Sequence, residues 1–289
     1  MRLSLLGKIG ATVVISVAAF AQTHDVHRLL REREVASSDS VLFRKTAAHV
    51  LEREFPSADI SYLLMEIRTR SFIAKRWENS SAAIPVGSLV KPFTALAYAQ
   101  THAYRFPEFT CTPGACWYPK GHGRMEIVRA TAFSCNAYFI QLASGVRAGH
   151  VITLARRFGL SGPPESASPE AMAGLYGIWQ ETPEALMNAY AELLAQRAQP
   201  GIREIVDGMA LSAREGTGAG IAKQHPTVAV LAKTGTAQCT HVEHAPGDGF
   251  VIMAWPAETP QYLLLVRQHA KPGANAAGVA GRMLKTLQP

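Results

Sequence analysis

Three short stretches carry side chains able to do nucleophilic chemistry: Ser88-Leu89-Val90-Lys91, Ser134-Cys135-Asn136 and Lys233-Thr234-Gly235. A serine hydroxyl attacks poorly until a base removes its proton. Residues i and i+3 of a helix share one face, so Lys91 stands beside the Ser88 hydroxyl, one turn on. Burial and a second cation nearby would make the neutral amine of Lys91 accessible as that base. Gly87 permits a tight turn, and Pro92 is tolerated in a helix only near its start, which places Ser88 in the first turn. Lys233-Thr234-Gly235 ends an apolar run that reads as a strand. A strand edge can offer a backbone N–H to an oxyanion, Gly235 leaves room for a substrate, and Thr234 and Thr236 supply hydroxyls for a carboxylate. Lys233 adds positive potential, Ser134 is placed to relay a proton, and Asn136 to bind an amide. Each motif alone has a plainer reading: a solvated helix start, a helix break, a strand end. Their occurrence in series is what points to a site.

The elements that must position these residues follow from patterning. Segments 62–67 and 71–77 read as two strands joined at Arg68-Thr69-Arg70, and 88–99 as a helix. Residues 107–124, rich in Pro, Gly and Cys, read as a long loop. Segment 126–146 reads as helical around a break at Ser134-Cys135-Asn136, and 161–169 as a loop. Thr182 caps and Pro183 opens a helix over 182–196, with Leu186, Tyr190, Leu193 and Leu194 on one face. Segments 228–238, 249–255 and 261–267 read as strands, and 276–287 as a closing helix. Strands at both ends with helices between them predict an α+β fold. Its antiparallel sheet would be flanked by helices and accompanied by an all-helical lobe, with the active site between them.

The 289 residues are 48% hydrophobic and 18% charged, which excludes disordered, collagenous and coiled-coil classes. The net charge of +7 is spread without a basic block, so no nucleic-acid partner is indicated. Arg2 and Lys8 precede an uncharged run ending at Ala19-Phe20-Ala21, an export signal over 1–21. The expected location is periplasmic or extracellular after cleavage, the alternative an inner-membrane anchor. A charged, helix-prone segment over 22–60 precedes a domain over 61–289. Export permits cysteine pairing, and Cys111 and Cys116 flank a turn-forming Thr-Pro-Gly-Ala that could bring them into a disulfide. Cys239, His241 and His244 are three possible ligands in a short loop, but no fourth with ligand spacing follows, so no metal is expected. His122, in the cleft loop, reads as a loop-stabilising hydrogen-bonder.

The ordered trio resembles the signatures of the penicillin-binding protein transpeptidase family, which shares its plan with serine β-lactamases. The resemblance extends through Pro85-Val86-Gly87 before the first motif and Pro92 after it. His122-Gly123 and Ala132-Phe133 precede the second motif, and Phe158-Gly159-Leu160, Thr182-Pro183 with Ala189-Tyr190-Ala191, and Glu215-Gly216-Thr217-Gly218 follow, over about 62–287 in all. The resemblance implies that Ser88 is acylated, that Lys91 is its base, and that Ser134, Asn136, Lys233 and Thr234 complete the site. The N–H groups of Ser88 and Thr236 would form the oxyanion hole. It also implies D,D-transpeptidase or D,D-carboxypeptidase action on D-Ala-D-Ala stem peptides of peptidoglycan without cofactor, and inhibition by β-lactams. A glycosyltransferase or cell-wall assembly protein would be the partner. Two alternatives share the fold. One is a serine β-lactamase, for which Glu184 and Asn188 would have to serve deacylation, though Glu184 also suits a first helical turn. The other is a non-catalytic β-lactam sensor or scaffold.

Overall fold

The computed structural model describes residues 42–239 and 247–288. The chain divides into two units, Met1–Ala47 and Ala48–Pro289. The expected export segment over 1–21, and His241 and His244, lie outside the described residues. Of the helix-prone stretch, residues 42–54 form helix α1.

A five-stranded antiparallel sheet organises the larger unit. It runs in the order β2 (Ser71–Arg76), β1 (Ile60–Glu66), β9 (Tyr262–Gln268), β8 (Asp248–Trp255), β7 (Leu231–Ala237). The central strands are near-continuous apolar runs, Phe250 to Trp255 and Leu263 to Val266, and both are buried. Such runs suit strands covered on both faces. The edge strand β2 is mostly exposed or half-buried, with only Ala74 of its six residues buried. The first two and last three strands thus close one sheet from both ends of the chain, as expected. Helix α10 (Gly273–Leu287) lies on β8 and β9, its buried face rich in small residues such as Ala276, Ala277 and Ala280. Helix α8 (Ile202–Arg214) packs on α3 (Ile127–Ala132) and β7.

The helical lobe comprises α2 (Lys91–Thr101), α4 (Asn136–Ser144), α5 (Ala148–Arg157) and α6 (Pro169–Met172), with α7 (Pro183–Ala195) between lobe and sheet. Phe93 of α2 meets Phe158 at 5.4 Å and Tyr190 of α7 edge-on at 5.6 Å, an aromatic cluster beneath the first motif. Thr182 caps α7 by accepting from Ala185 N at 3.0 Å, as its sequence suggests.

Three features depart from expectation. The segment 88–99 is not one α-helix: Gly87–Val90 forms a 3-10 turn, and α2 begins at Lys91 with Pro92 in its first turn. Proline is tolerated there because the first N–H groups of a helix have no intrahelical acceptor. The long loop contains a ladder, β4 (Phe109–Cys111) against β5 (Gly123–Met125), with Cys111 opposite Gly123. Helices α5 and α8 lie outside the elements read from the sequence. The signal for α8 was present, since Ile202, Ile205, Met209 and Ser212 recur on one buried face and Glu204 accepts from Gly201 N at its start.

Candidate active site

The 3-10 turn places Ser88 at the floor of a cleft with a volume of about 590 Å³. Its walls are the edge strand β7, the start of α4, Trp117, the turn Gly174-Leu175-Tyr176-Gly177, and Pro272-Gly273-Ala274 at the start of α10. The Ser88 hydroxyl is half-buried and makes no hydrogen bond to a described residue. The turn is held from below: the buried Tyr190 hydroxyl donates to Leu89 O at 2.8 Å. A Tyr190→Phe substitution should therefore lower stability by about 1–2 kcal/mol, the cost of stranding a buried carbonyl, as read from urea unfolding midpoints.

Main chain packs on main chain around this turn. Gly87 has φ +58°, and a Cβ there would fall 2.3 Å from Thr236 O. Gly174, at φ +82°, would place a Cβ 2.2 Å from Gly87 O, and one on Gly235 would sit 3.0 Å from Val86 O. These positions need glycine for space, and the first two for conformation as well.

Both lysines are fully buried. Lys91 Nζ donates to Asn136 Oδ1 at 2.6 Å and to Ser134 O at 2.9 Å, with Ser134 Oγ at 3.4 Å. Lys233 Nζ donates to Thr234 O at 2.7 Å and to Ser134 Oγ at 2.9 Å. Ser134 Oγ thus stands between two amines drawn from distant parts of the chain. It is presented there by a left-handed backbone, φ +51°, at the break between α3 and α4. That conformation costs a non-glycine residue about 1–3 kcal/mol. Burial pushes the Lys91 ammonium down to about 8, opposed by the thiols of Cys116 and Cys135. Burial, and then Lys91 itself, hold Lys233 well below the usual lysine range.

The predicted residues Ser88, Ser134, Asn136, Thr234, Gly235 and Thr236 all line the one cleft, and the amines of Lys91 and Lys233 reach it through Ser134. The threonines differ in readiness. Thr234 Oγ1 donates to Thr217 Oγ1, which donates on to Ala132 O. Thr236 Oγ1 accepts from Gly273 N at 3.1 Å, leaving its own hydrogen free for a ligand. Two contributors were not anticipated: Trp117 Nε1 donates to Ser134 O at 3.3 Å, and Cys116 Sγ accepts from Asn136 N at 3.2 Å. Nothing in their sequence setting marks them, since both sit in the segment read as loop.

Other expectations resolve differently. All four cysteines are free, so the disulfide expected between Cys111 and Cys116 is not formed. Cys111 closes β4 with its sulfur 3.6 Å from His122 Nδ1, and the Cys116 thiol donates instead to Cys135 Sγ, 3.9 Å away. Glu184 lies outside the cleft lining. Its carboxylate accepts from Ser80 Oγ at 2.6 Å and Lys75 Nζ at 2.7 Å, which hold it below the usual carboxylate range. A base for deacylating water is therefore not found there.

Comparison with known proteins agrees with this geometry. The family profile described as "Penicillin binding protein transpeptidase domain" matches residues 58–287. No curated relative matches the sequence. Among solved structures, the chain superposes on penicillin-binding protein 2 of Helicobacter pylori, determined with MreC, with a TM-score of 0.72 and 16% identity over 84% of this chain and 62% of that one. On penicillin-binding protein 2 of Pseudomonas aeruginosa, determined with WCK 5153, the values are 0.69, 17%, 85% and 73%. On the D,D-transpeptidase domain of a peptidoglycan glycosyltransferase from Eggerthella lenta they are 0.67, 17%, 83% and 80%. The chain thus spans less than two thirds of the Helicobacter protein.

Proposed function

The chain belongs to the penicillin-binding protein transpeptidase domain family, and from that premise we propose that it is an exported serine acyltransferase acting on D-Ala-D-Ala stem peptides of peptidoglycan. The observation that carries the reading is Ser134 Oγ held between Lys91 and Lys233 in the cleft that Ser88 lines. In the acylation step the neutral amine of Lys91 takes the Ser88 proton as Oγ attacks the carbonyl between the two D-alanines. The N–H groups of Ser88 and Thr236 receive the oxyanion, the roles the sequence resemblance gives them. The proton passes through Ser134 to the leaving D-alanine nitrogen, and the C–N bond breaks to leave acyl-Ser88. An acceptor amine, or water, then takes the acyl group, with Lys91 again moving the proton. The free Thr236 hydroxyl and the charge of Lys233 suit the substrate carboxylate. A β-lactam, which offers a strained amide beside a carboxylate, would acylate Ser88 by the same route. The Helicobacter neighbour's pairing with MreC supports a cell-wall assembly partner for this chain also.

The test is intact mass after exposure to a penicillin. One adduct per chain is expected, mapped to Ser88 and absent from Ser88→Ala. A chain that never forms it would be a scaffold on the same fold, and one that sheds it within seconds while hydrolysing excess drug would be a β-lactamase.

A further inference from the structure

Beside the cleft, Cys111, Cys116, His122 and Cys135 bring their ligand atoms within 4.8 Å of one another. We propose that these four side chains hold one divalent ion of the zinc class in a closed tetrahedral site, and that the ion positions the start of α4. The inference goes beyond the acyl-transfer reading and departs from the sequence-based expectation of no metal.

Three separate pieces of chain supply the donors. The β4–β5 ladder sets Cys111 opposite Gly123, and so beside His122. Cys116 comes from the turn between those strands, and Cys135 is the N-cap residue of α4. The chemistry fits: three cysteines and one histidine are a usual donor set for structural zinc, and Cys111 and Cys135 are buried. The spacing fits as well. With metal–sulfur bonds of about 2.3 Å and metal–nitrogen bonds of about 2.0–2.1 Å, a tetrahedron sets sulfurs about 3.8 Å apart and sulfur from nitrogen about 3.6 Å. The observed pairs are 3.9 Å for Cys116 with Cys135 and 3.6 Å for Cys111 with His122 Nδ1. A disulfide would need about 2.05 Å between sulfurs.

The surroundings favour the same occupant. His122 is fixed by the rings of Trp117, Tyr118 and Phe133, with its Nδ1 towards Cys111 Sγ. Among the described residues its Nδ1 meets a thiol, a weak hydrogen-bond partner for an imidazole. The described cleft lining contains no carboxylate, although two buried amines reach it. Three thiolates around one divalent cation leave one net negative charge beside those amines. On binding, each thiol releases its proton to solvent, so uptake strengthens as pH rises. The consequence for the site is direct: Cys116 Sγ accepts from Asn136 N, and Cys135 lies between Ser134 and Asn136. A second group, Cys239, Asp248 and His269, is also close-set, but it has the guanidinium of Arg267 4.0 Å from Asp248, and carries no proposal.

The full chain, purified reduced and stripped with a chelator, should be titrated with Co²⁺ alone. One equivalent should produce the visible spectrum of tetrahedral, thiolate-bound cobalt, which added Zn²⁺ erases. Cys135→Ser and His122→Ala should weaken or change that spectrum, whereas Cys239→Ser should leave it intact. If the first two variants fail to fold, the wild-type stoichiometry and spectrum decide alone. An octahedral spectrum, no uptake by the reduced chain, or a native Cys116–Cys135 disulfide would overturn the site. None of these readouts uses Ser88, so they stand whether or not penicillin acylates it. Where it does, chelation should slow acylation and Zn²⁺ restore it; an unchanged rate would overturn the positioning role.

Discussion

Replacing Lys91 by Met lowers the rate at which a penicillin acylates Ser88 by about 10²–10⁴-fold, the range contributed by a well-placed general base. Methionine keeps the volume of this fully buried chain but offers nothing to accept a proton. Stopped-flow measurement with a fluorescent penicillin would show it, and a rate within threefold of wild type would exclude Lys91 as the base. The pH profile supplies the sign. With Lys91 held down to about 8, its neutral fraction grows as pH climbs through that value, so wild-type acylation should rise to a plateau just above it. The Met variant should lose that step. The same depression bears on folding. The unfolded lysine binds a proton up to its ordinary 10.5, the folded one only to about 8, so between those values the unfolded state carries more protons and this group makes stability rise with pH. The full effect is of the order of 3 kcal/mol.

Gly87→Val should be among the most damaging single substitutions to the fold. A Cβ at this position would stand 2.3 Å from Thr236 O, a backbone atom of the sheet edge, and φ is +58°. The left-handed conformation alone costs a side-chain-bearing residue about 1–2 kcal/mol, more for a β-branched one. The overlap must be relieved by separating the turn from β7, bringing the total above about 4 kcal/mol. At about 2–4 °C per kcal/mol for a chain near this size, melting should fall by roughly 8 °C or more. Penicillin labelling should be lost in whatever fraction remains folded. A variant that melts and labels like wild type would show that the turn and strand are not held in contact.

Much of the site was legible because its chemistry sits in contiguous motifs. Ser88 and Lys91 are one turn apart, Ser134 and Asn136 bracket one residue, and Lys233 through Thr236 follow one another along β7. Residue type and spacing suffice for such groups. The sheet was legible because apolar strands such as Leu263 to Val266 have few other ways to be buried. What escaped is what long-range packing decides. Strands β4 and β5 are three residues each, too short for any period, and exist because they pair with one another. The Tyr190–Leu89 bond links positions 101 residues apart, and no local pattern announces it. Cysteine spacing suggested the wrong partner because Cys111 and Cys116 are neighbours in sequence, while Cys135 is brought in by the break before α4. The 3-10 turn escaped because Pro92 marks a helix start without saying which kind of turn precedes it.

The glycine contacts around Ser88 leave that serine in a joint with no slack. With Thr236 O under Gly87 and Gly174 against the Gly87 carbonyl, three strands of main chain interlock with no side chain between them to act as a bearing. The ordering of that joint is accomplished once, when the polypeptide folds, and not again at each arrival of a ligand. Accommodation of different ligands then falls to the mouth, where Tyr176 is 72% exposed and Trp117 51%.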